Sequence, residues 1–407
     1  MPEIRECVVL HGPDLEPRRC QRFAWVGDTI TAIELGEACS QLEAGALVVM
    51  PGLINGHTHV ADSALPDGAT GLTLEEAFFR PAGYKYRELA KLSEADHLPH
   101  IEAHLRYMAR TGTVCHVDFR EQGAYGAELL RKASTATGVR SVILSQFNTP
   151  PFAPAELAAN VAALPASARD ELAAILGVAD GFSESTMNDL TDSAWQEIRT
   201  TTTAARRLRA IHCLENAGYR ELSLARTGRG DLIRALELYA PHLVVHMTAA
   251  NADEIALLAQ HGTTAVVNPR ANAVLGLSLP PVSALLRAGA NLLLGTDNGM
   301  LNSPNLLAEL DFTWKLARSQ AADATSPAPA AILRMTTRNA HAVLGDEFPG
   351  SLESGLPATF AVLDFTASHL RSTRHVLASI VSRVTPADVL ATYRHGESLW
   401  SAPGFAV

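Results

Sequence analysis

The stretch Pro51-Gly52-Leu53-Ile54-Asn55-Gly56-His57-Thr58-His59 decides how the rest of this chain is read. An apolar, β-type run, Leu47–Ile54, leads into it, and two histidines stand two positions apart at its end. Side chains alternate along a strand, so positions i and i+2 share a face. His57 and His59 can therefore point together at one ion. Such a pair alone says little in a chain with 15 histidines. Its weight comes from the pattern of the downstream chain.

There, short β-rich runs alternate with helical stretches such as Ser93–Arg110 and Asp253–His261. The runs are Leu47–Ile54, Thr113–Asp118, Ser141–Gln146, Ala174–Ala179, Leu208–His212, Leu243–His246, Thr264–Asn268 and Asn291–Asp297. Eight strand-then-helix units predict an α/β fold, a (β/α)8 TIM barrel. A doubly wound sheet is the alternative, but no GxGxxG opens it. The two ends read differently. Glu6–Leu10, Arg22–Val26 and Thr29–Glu34 at the start, and Thr359–Asp364, Ser379–Val384 and Val389–Tyr393 at the end, read as strands. The expected organisation is a composite β-sandwich from residues 1–50 plus 350–407, and a barrel from 51–349.

Chemistry in a barrel gathers at the C-terminal ends of the strands. Four runs end in metal-ligand residue types: His57 and His59 on the first, His212 on the fifth, His246 on the sixth and Asp297 on the eighth. His57, His59, His212 and Asp297 make an N3O set that suits one divalent ion, zinc first, with iron or manganese as alternatives. A position stays open for water, which such an ion acidifies to a pKa of about 7. His97, His100 and His104, at helical spacing after Ser93, read as a solvated helix face. Cys213 follows His212 and should face away, into the core.

Composition bounds the rest. The chain is 407 residues long, 47% hydrophobic and 19% charged, which describes a globular protein rather than a disordered one. A net charge of -10 argues against nucleic-acid or polybasic membrane binding. Five cysteines without a CxxC argue against a disulfide framework and for a reducing cytoplasm. The first residues carry acids where a signal peptide needs an apolar core, and no apolar run is long enough to span a membrane. Other enzyme motifs fail: there is no HExxH, no P-loop and no PCxxC, and Gly181-Phe-Ser-Glu-Ser185 falls one glycine short of GxSxG.

PGLINGHTH at 51–59, HCLE at 212–215, VVH at 244–246, NPRAN at 268–272, LGTDN at 294–298, TTRNAHAVLG at 336–345 and GLPATFAVLDF at 355–365 occur in one order along the chain. In these motifs the chain resembles the amidohydrolase superfamily of metal-dependent hydrolases over nearly its whole length. The resemblance implies a barrel plus a β-sandwich built from both termini. His212-Cys-Leu-Glu215 is similar to the HxxE of the cytosine, guanine, adenosine-homocysteine and triazine aminohydrolase and chlorohydrolase branch. It implies that Glu215 shuttles a proton to a ring nitrogen and then to the leaving amine.

Relatives with two ions often use a carboxylated lysine from the fourth strand. The chain has four lysines (Lys85, Lys91, Lys132 and Lys315), none near that strand, so a single ion is expected. Glu184 is the alternative bridging carboxylate. Many deaminases of the branch carry a histidine in HCPxSN, whereas Asn268 stands at the matching position here and cannot act as acid or base. The expected roles are Asp297 as proton acceptor, Glu215 as proton donor and His246 as a group that polarises the substrate. For the substrate, Phe78 and Phe79 could stack on a flat ring. Arg80, Lys85, Arg120 and Arg270 are candidate anchors, with Arg120 and Arg270 preferred because they closely follow strands, and Asn268 is a further candidate substrate contact. The expected activity is hydrolytic deamination of an amino-substituted heterocycle, a small molecule. An amidase of the same superfamily and a silent barrel serving as a binding protein are the alternatives. A homo-oligomer is compatible with the resemblance, although the sequence carries no interface signal.

Overall fold

A computed structural model describes residues 1–42 and 44–407. Its centre is a parallel barrel of eight staves: β1 (Leu53–His59), β2 (Thr113–Arg120), β3 (Arg140–Ser145), β4 (Gly181–Glu184), β5 (Leu208–Cys213), β6 (Leu243–His246), β7 (Thr264–Val267), and a last stave split into β8 (Leu292–Leu294) and β9 (Asp297–Asn298). Each strand pairs in parallel with the next. β8 closes on β7 and β9 closes on β1, with Asp297 opposite Thr58 and Asn298 opposite His59. Helices including Glu94–Arg110, Gly123–Thr137, Ala166–Val178 and Leu306–Ala321 cover the outside. Inside the barrel, Ile54, Phe119, Leu144, Ala210, Val245, Val266 and Leu293 pack together, nearly all fully buried. This layer fills the floor on which the polar strand ends stand.

The two histidines reach the interior through a bulge. Asn55 lies opposite His116 and Thr58 opposite Asp118, so β1 has one residue more than β2 in this interval. An extra residue re-aims the side chains beyond it. Ile54 packs inside, and past the bulge His57 and His59 point in while Thr58 turns to the wall, donating to Asp118 Oδ2 at 2.7 Å. Gly56 makes this possible. A Cβ there would stand 2.7 Å from Leu293 Cβ and 3.1 Å from the Leu294 carbonyl, closer than packing allows.

Both termini build one seven-stranded sheet. Its order is Glu397–Ser401, Val389–Arg394, Phe360–Asp364, Leu47–Pro51, Glu3–His11, Glu16–Val26 and Thr29–Ala38. Trp25 packs against Phe360 and Tyr393 with ring centroids 5.0 and 5.2 Å apart.

Several expectations need correction. Leu47–Ile54 is two strands in two sheets, parted at Gly52, because Leu47–Pro51 pairs with Phe360–Asp364. Ala174–Ala179 is no strand. Through Val178 it is the end of helix Ala166–Val178, whose Leu172, Ile175 and Leu176 recur at helical spacing on the buried side. The true fourth strand, Gly181–Glu184, comes directly after it. Ser379–Val384 falls largely in helix Val376–Ser382, which buries Val376, Leu377, Ile380 and Val381 and is capped by the His375 side chain. The histidines after Ser93 are not a solvated face. His100 is exposed, but His97 is buried and its Nε2 meets the Ala61 carbonyl at 2.6 Å.

Candidate metal centre and active site

Imidazole nitrogens and one carboxylate converge at the mouth of the barrel. His57 Nε2 lies 3.3 Å from His212 Nε2 and 3.3 Å from Asp297 Oδ1, and His59 Nε2 lies 3.7 Å from the same oxygen. Donors placed tetrahedrally around an ion at roughly 2.0–2.1 Å stand about 3.4 Å from one another. The spacing of this set therefore fits a small divalent ion. The outer ring nitrogens of two of these histidines are committed elsewhere. His59 Nδ1 meets Glu121 Oε1 at 2.8 Å and His212 Nδ1 meets the Ser185 carbonyl at 3.0 Å. Acceptors there fix each hydrogen on Nδ1 and leave the Nε2 lone pair facing the centre.

The backbone is bent to aim two of the groups. Asp297 has φ +62° and His246 φ +80°, in the left-handed region that side chains usually avoid. Each such residue costs on the order of 1–3 kcal/mol and is held by its surroundings. Here the hold includes Asn55, whose Oδ1 accepts from Thr296 N at 3.1 Å and whose Nδ2 donates to Thr296 Oγ1 at 2.7 Å. That turn is why the last stave breaks between β8 and β9.

Burial and neighbouring charge set the protonation states. Burial pushes His57 down to about 3, although Asp297 pulls the other way. Burial and the adjacent imidazoles hold His212 well below its ordinary value. Neutral rings are what a cation needs as ligands; at His59, burial and Lys85 pull down but Glu121 and Asp297 outweigh them and hold it above its ordinary value. Burial opposes the charge on Asp297, but His57, His246 and His59 outweigh it and keep the carboxyl well below the usual range. Burial raises Glu215, against the pull of His246.

His246, which itself converges with His57 and His212, and Glu215 stand beside the candidate ligands. His246 Nε2 is 3.7 Å from Glu215 Oε1, and the Asn272 amide nitrogen is 3.1 Å from His246 Nδ1. With Nδ1 accepting, the ring presents an Nε2 hydrogen to the chamber. Asn268 is buried next to the same Nδ1, at 3.5 Å, and is part of the wall behind His246. His59, His212, Glu215, His246 and Asp297 line a small inner chamber, roofed by Phe78 and Tyr86. It opens past Phe78, Ser185 and Tyr219 into a cavity of about 320 Å³ lined by Phe79, Leu157, Asn188, Leu222 and Arg226.

Of the candidate anchors, Lys85 borders the inner chamber, and the arginines fall elsewhere or are already paired. Arg120 is fully buried and directs its guanidinium to the Gly126 carbonyl at 2.8 Å and Gln122 Oε1 at 3.3 Å. Arg270 pairs with Glu309 at 3.5 Å. Neither lines the chamber or the cavity beyond it. Arg80 borders the outer cavity but is paired with Glu184 and Asp189. Glu184, so engaged, also accepts from Phe147 N at 3.2 Å and is not among the converging donors. Cys213 sits in the outer core, away from the ion site. Sequence reading gave no role to Glu121, Asn298, Asp62, Ser185 and Tyr219. Glu121 and Asn298 each directly follow a polar strand end, and that position was the available signal.

The chain belongs to the amidohydrolase family, whose model matches residues 48–399. It is therefore a hydrolytic enzyme acting on carbon–nitrogen bonds. It is 30% identical over 372 residues to a 5-methylthioadenosine/S-adenosylhomocysteine deaminase of Syntrophobacter fumaroxidans, covering 88% of this chain and 82% of that one. Among solved structures, a zinc-bound adenosine deaminase of Xanthomonas campestris superposes with a TM-score of 0.81 at 22% identity, over 97% of this chain and 92% of that one. A zinc complex of an atrazine chlorohydrolase from Arthrobacter aurescens gives 0.80 at 16% identity, over 98% and 95%.

Proposed function

We propose that this protein is a cytoplasmic, zinc-dependent aminohydrolase that replaces the amino group of a substituted heterocycle with oxygen and releases ammonia. The observation that carries the reading is the convergence of His57, His59, His212 and Asp297 with Glu215 and His246 on one side of them. A single divalent ion held by the first four would supply a Lewis acid and a nucleophilic water at neutral pH.

The side chains do the rest. Asp297 Oδ1 faces the histidines and accepts from Asn298 Nδ2 at 2.9 Å, so Oδ2 is left to take the proton of the attacking water. Glu215, its acid form favoured by burial, hands its proton to the ring nitrogen next to the attacked carbon and regains one from the added hydroxyl as the carbonyl forms, while the proton held by Asp297 goes to the departing amine, which leaves as ammonia. His246 donates from Nε2 to the incoming oxygen. Asn268 is confined to the wall and carries no proton. Phe78 and Phe79 offer flat apolar surface at the junction of chamber and cavity, where a ring could stack. The outer cavity has room for a substituent on that ring, which favours a substituted heterocycle over a bare base. We also read residues 1–50 with 350–407 as a separate sheet domain that carries the barrel without entering the site.

The test is ammonia release from amino-substituted purines, their nucleosides, pyrimidines, pterins and triazines, with zinc-loaded enzyme and Asp297→Asn as the blank. Ammonia from one ring class, absent with the blank, is expected. No ammonia from any ring, with zinc bound, would move the reading to amide hydrolysis.

A further inference from the structure

Lys85 is one of four lysines in the chain and is almost wholly buried, at 2% exposure. It arrives on helix Tyr84–Leu89, in the connection between β1 and β2. Its ammonium has three acceptors around it. It is in close ion-pair contact with Glu121 Oε1, donates to Asn298 Oδ1 at 2.9 Å, and lies 3.4 Å from Asp62 Oδ2. Two of these lead to the ion site. Glu121 Oε1 also meets His59 Nδ1 at 2.8 Å, and Asn298 Nδ2 donates to Asp297 Oδ1 at 2.9 Å. Glu121 directly follows β2 and Asn298 ends β9, on either side of β1.

We propose that Lys85 is a positioning residue for the ion: one ammonium holds Glu121 against His59 and Asn298 against Asp297, and so fixes two ligands on two strands together. The inference rests on the ligand assignment above. The role suits lysine. A compact ammonium donates in three directions, toward acceptors from three elements, whereas a guanidinium donates in one plane. Although Lys85 borders the chamber, its ammonium is taken up by the Asn298 hydrogen bond and by the Glu121 and Asp62 carboxylates beside it, which suits a strut rather than a substrate anchor. The same helix carries Tyr86, which lines the inner chamber. The strut therefore joins the roof of the substrate chamber to the ligands beneath it.

The experiment measures zinc affinity of the full chain by competition with a chromogenic chelator, and the visible spectrum of the Co2+-loaded protein, for wild type, Lys85→Met and Lys85→Arg. Loss of an outer partner of a ligand typically weakens metal binding by about 10- to 100-fold. Lys85→Met is expected to fall in that range and to shift the Co2+ bands. Lys85→Arg should not restore wild-type affinity. kcat should fall with KM little changed. Lys85→Met leaves two buried carboxylates with one cation fewer, so it could fail to fold. Lys85→Met with Asp62→Asn removes one charge of each sign, leaves Glu121 and Asn298 in place, and should fold yet still bind zinc more weakly. A folded variant of either kind with wild-type zinc affinity and an unchanged Co2+ spectrum would overturn the proposal, even if it were less stable. Wild-type protein that takes up no ion would instead overturn the metal-site reading itself.

Discussion

In the proposed reaction, Glu215 is the residue at which the two halves meet. It is buried, its acid form is favoured, and it faces His246 at 3.7 Å. Glu215→Gln keeps shape and hydrogen bonding but cannot move a proton. General acid–base groups contribute about 10²- to 10⁴-fold, so kcat should drop by that factor. Zinc content by elemental analysis should stay at one equivalent, since Glu215 lies outside the proposed ligand set. A fall in both would make Glu215 a ligand instead. In the sequence, HxxE at a strand end singled out this group, and strand-end position likewise singled out the proposed ligands. The sequence did not make the outer partners legible. Glu121, Asn298 and Asp62 are ordinary polar residues until Lys85 is seen among them, and a buried lysine cannot be told from a surface one by spacing.

At the level of elements, alternation carried most of the fold, and it failed where apolar residues serve two periods. ELAAILGV at 171–178 reads as a short buried strand or as the end of a helix, and length alone arbitrates. The bulge in β1 was likewise invisible, since only its register against β2 reveals it. Arg270 shows a different limit. Its place after β7 suggested a substrate anchor, yet it turns to Glu309 on helix Leu306–Ala321. That carboxyl is fully buried, and burial raises it to about 8 although Arg270 opposes the shift. The folded chain therefore holds this proton more tightly than the unfolded chain. The stability it contributes is complete below the ordinary value of 4.5 and is lost as pH rises toward about 8. Glu309→Gln mimics the neutral form. Urea midpoints should match wild type at about pH 5 and exceed it at about pH 8, by a gain on the order of 2 kcal/mol. Equal midpoints at both would mean that the Arg270 pair keeps the carboxylate charged.

For the molecule as a whole, the ion site is also where the barrel closes. Its four proposed ligands come from β1, β5 and β9, and β9 is the short segment that joins the last stave back to the first. The closure is thin. β9 has two residues, and the left-handed backbone of Asp297 adds a local cost. An ion that binds the folded chain and not the unfolded one adds stability by mass action, about 4 kcal/mol at a free concentration 1,000 times its dissociation constant. Part of that falls on the weakest seam, so the ion should act on stability as well as on chemistry. Chelator treatment is expected to lower the unfolding temperature, and zinc should restore it in a concentration-dependent way. Hydrogen exchange should locate the loss in β9 and the adjoining end of β1 ahead of β3 and β4, which contribute none of these ligands. Asp297→Asn weakens the ligand on that seam and should blunt the zinc-dependent rise. If zinc raised the unfolding temperature equally in wild type and Asp297→Asn, with protection spread evenly over the strands, the ion would not be the clasp of this barrel.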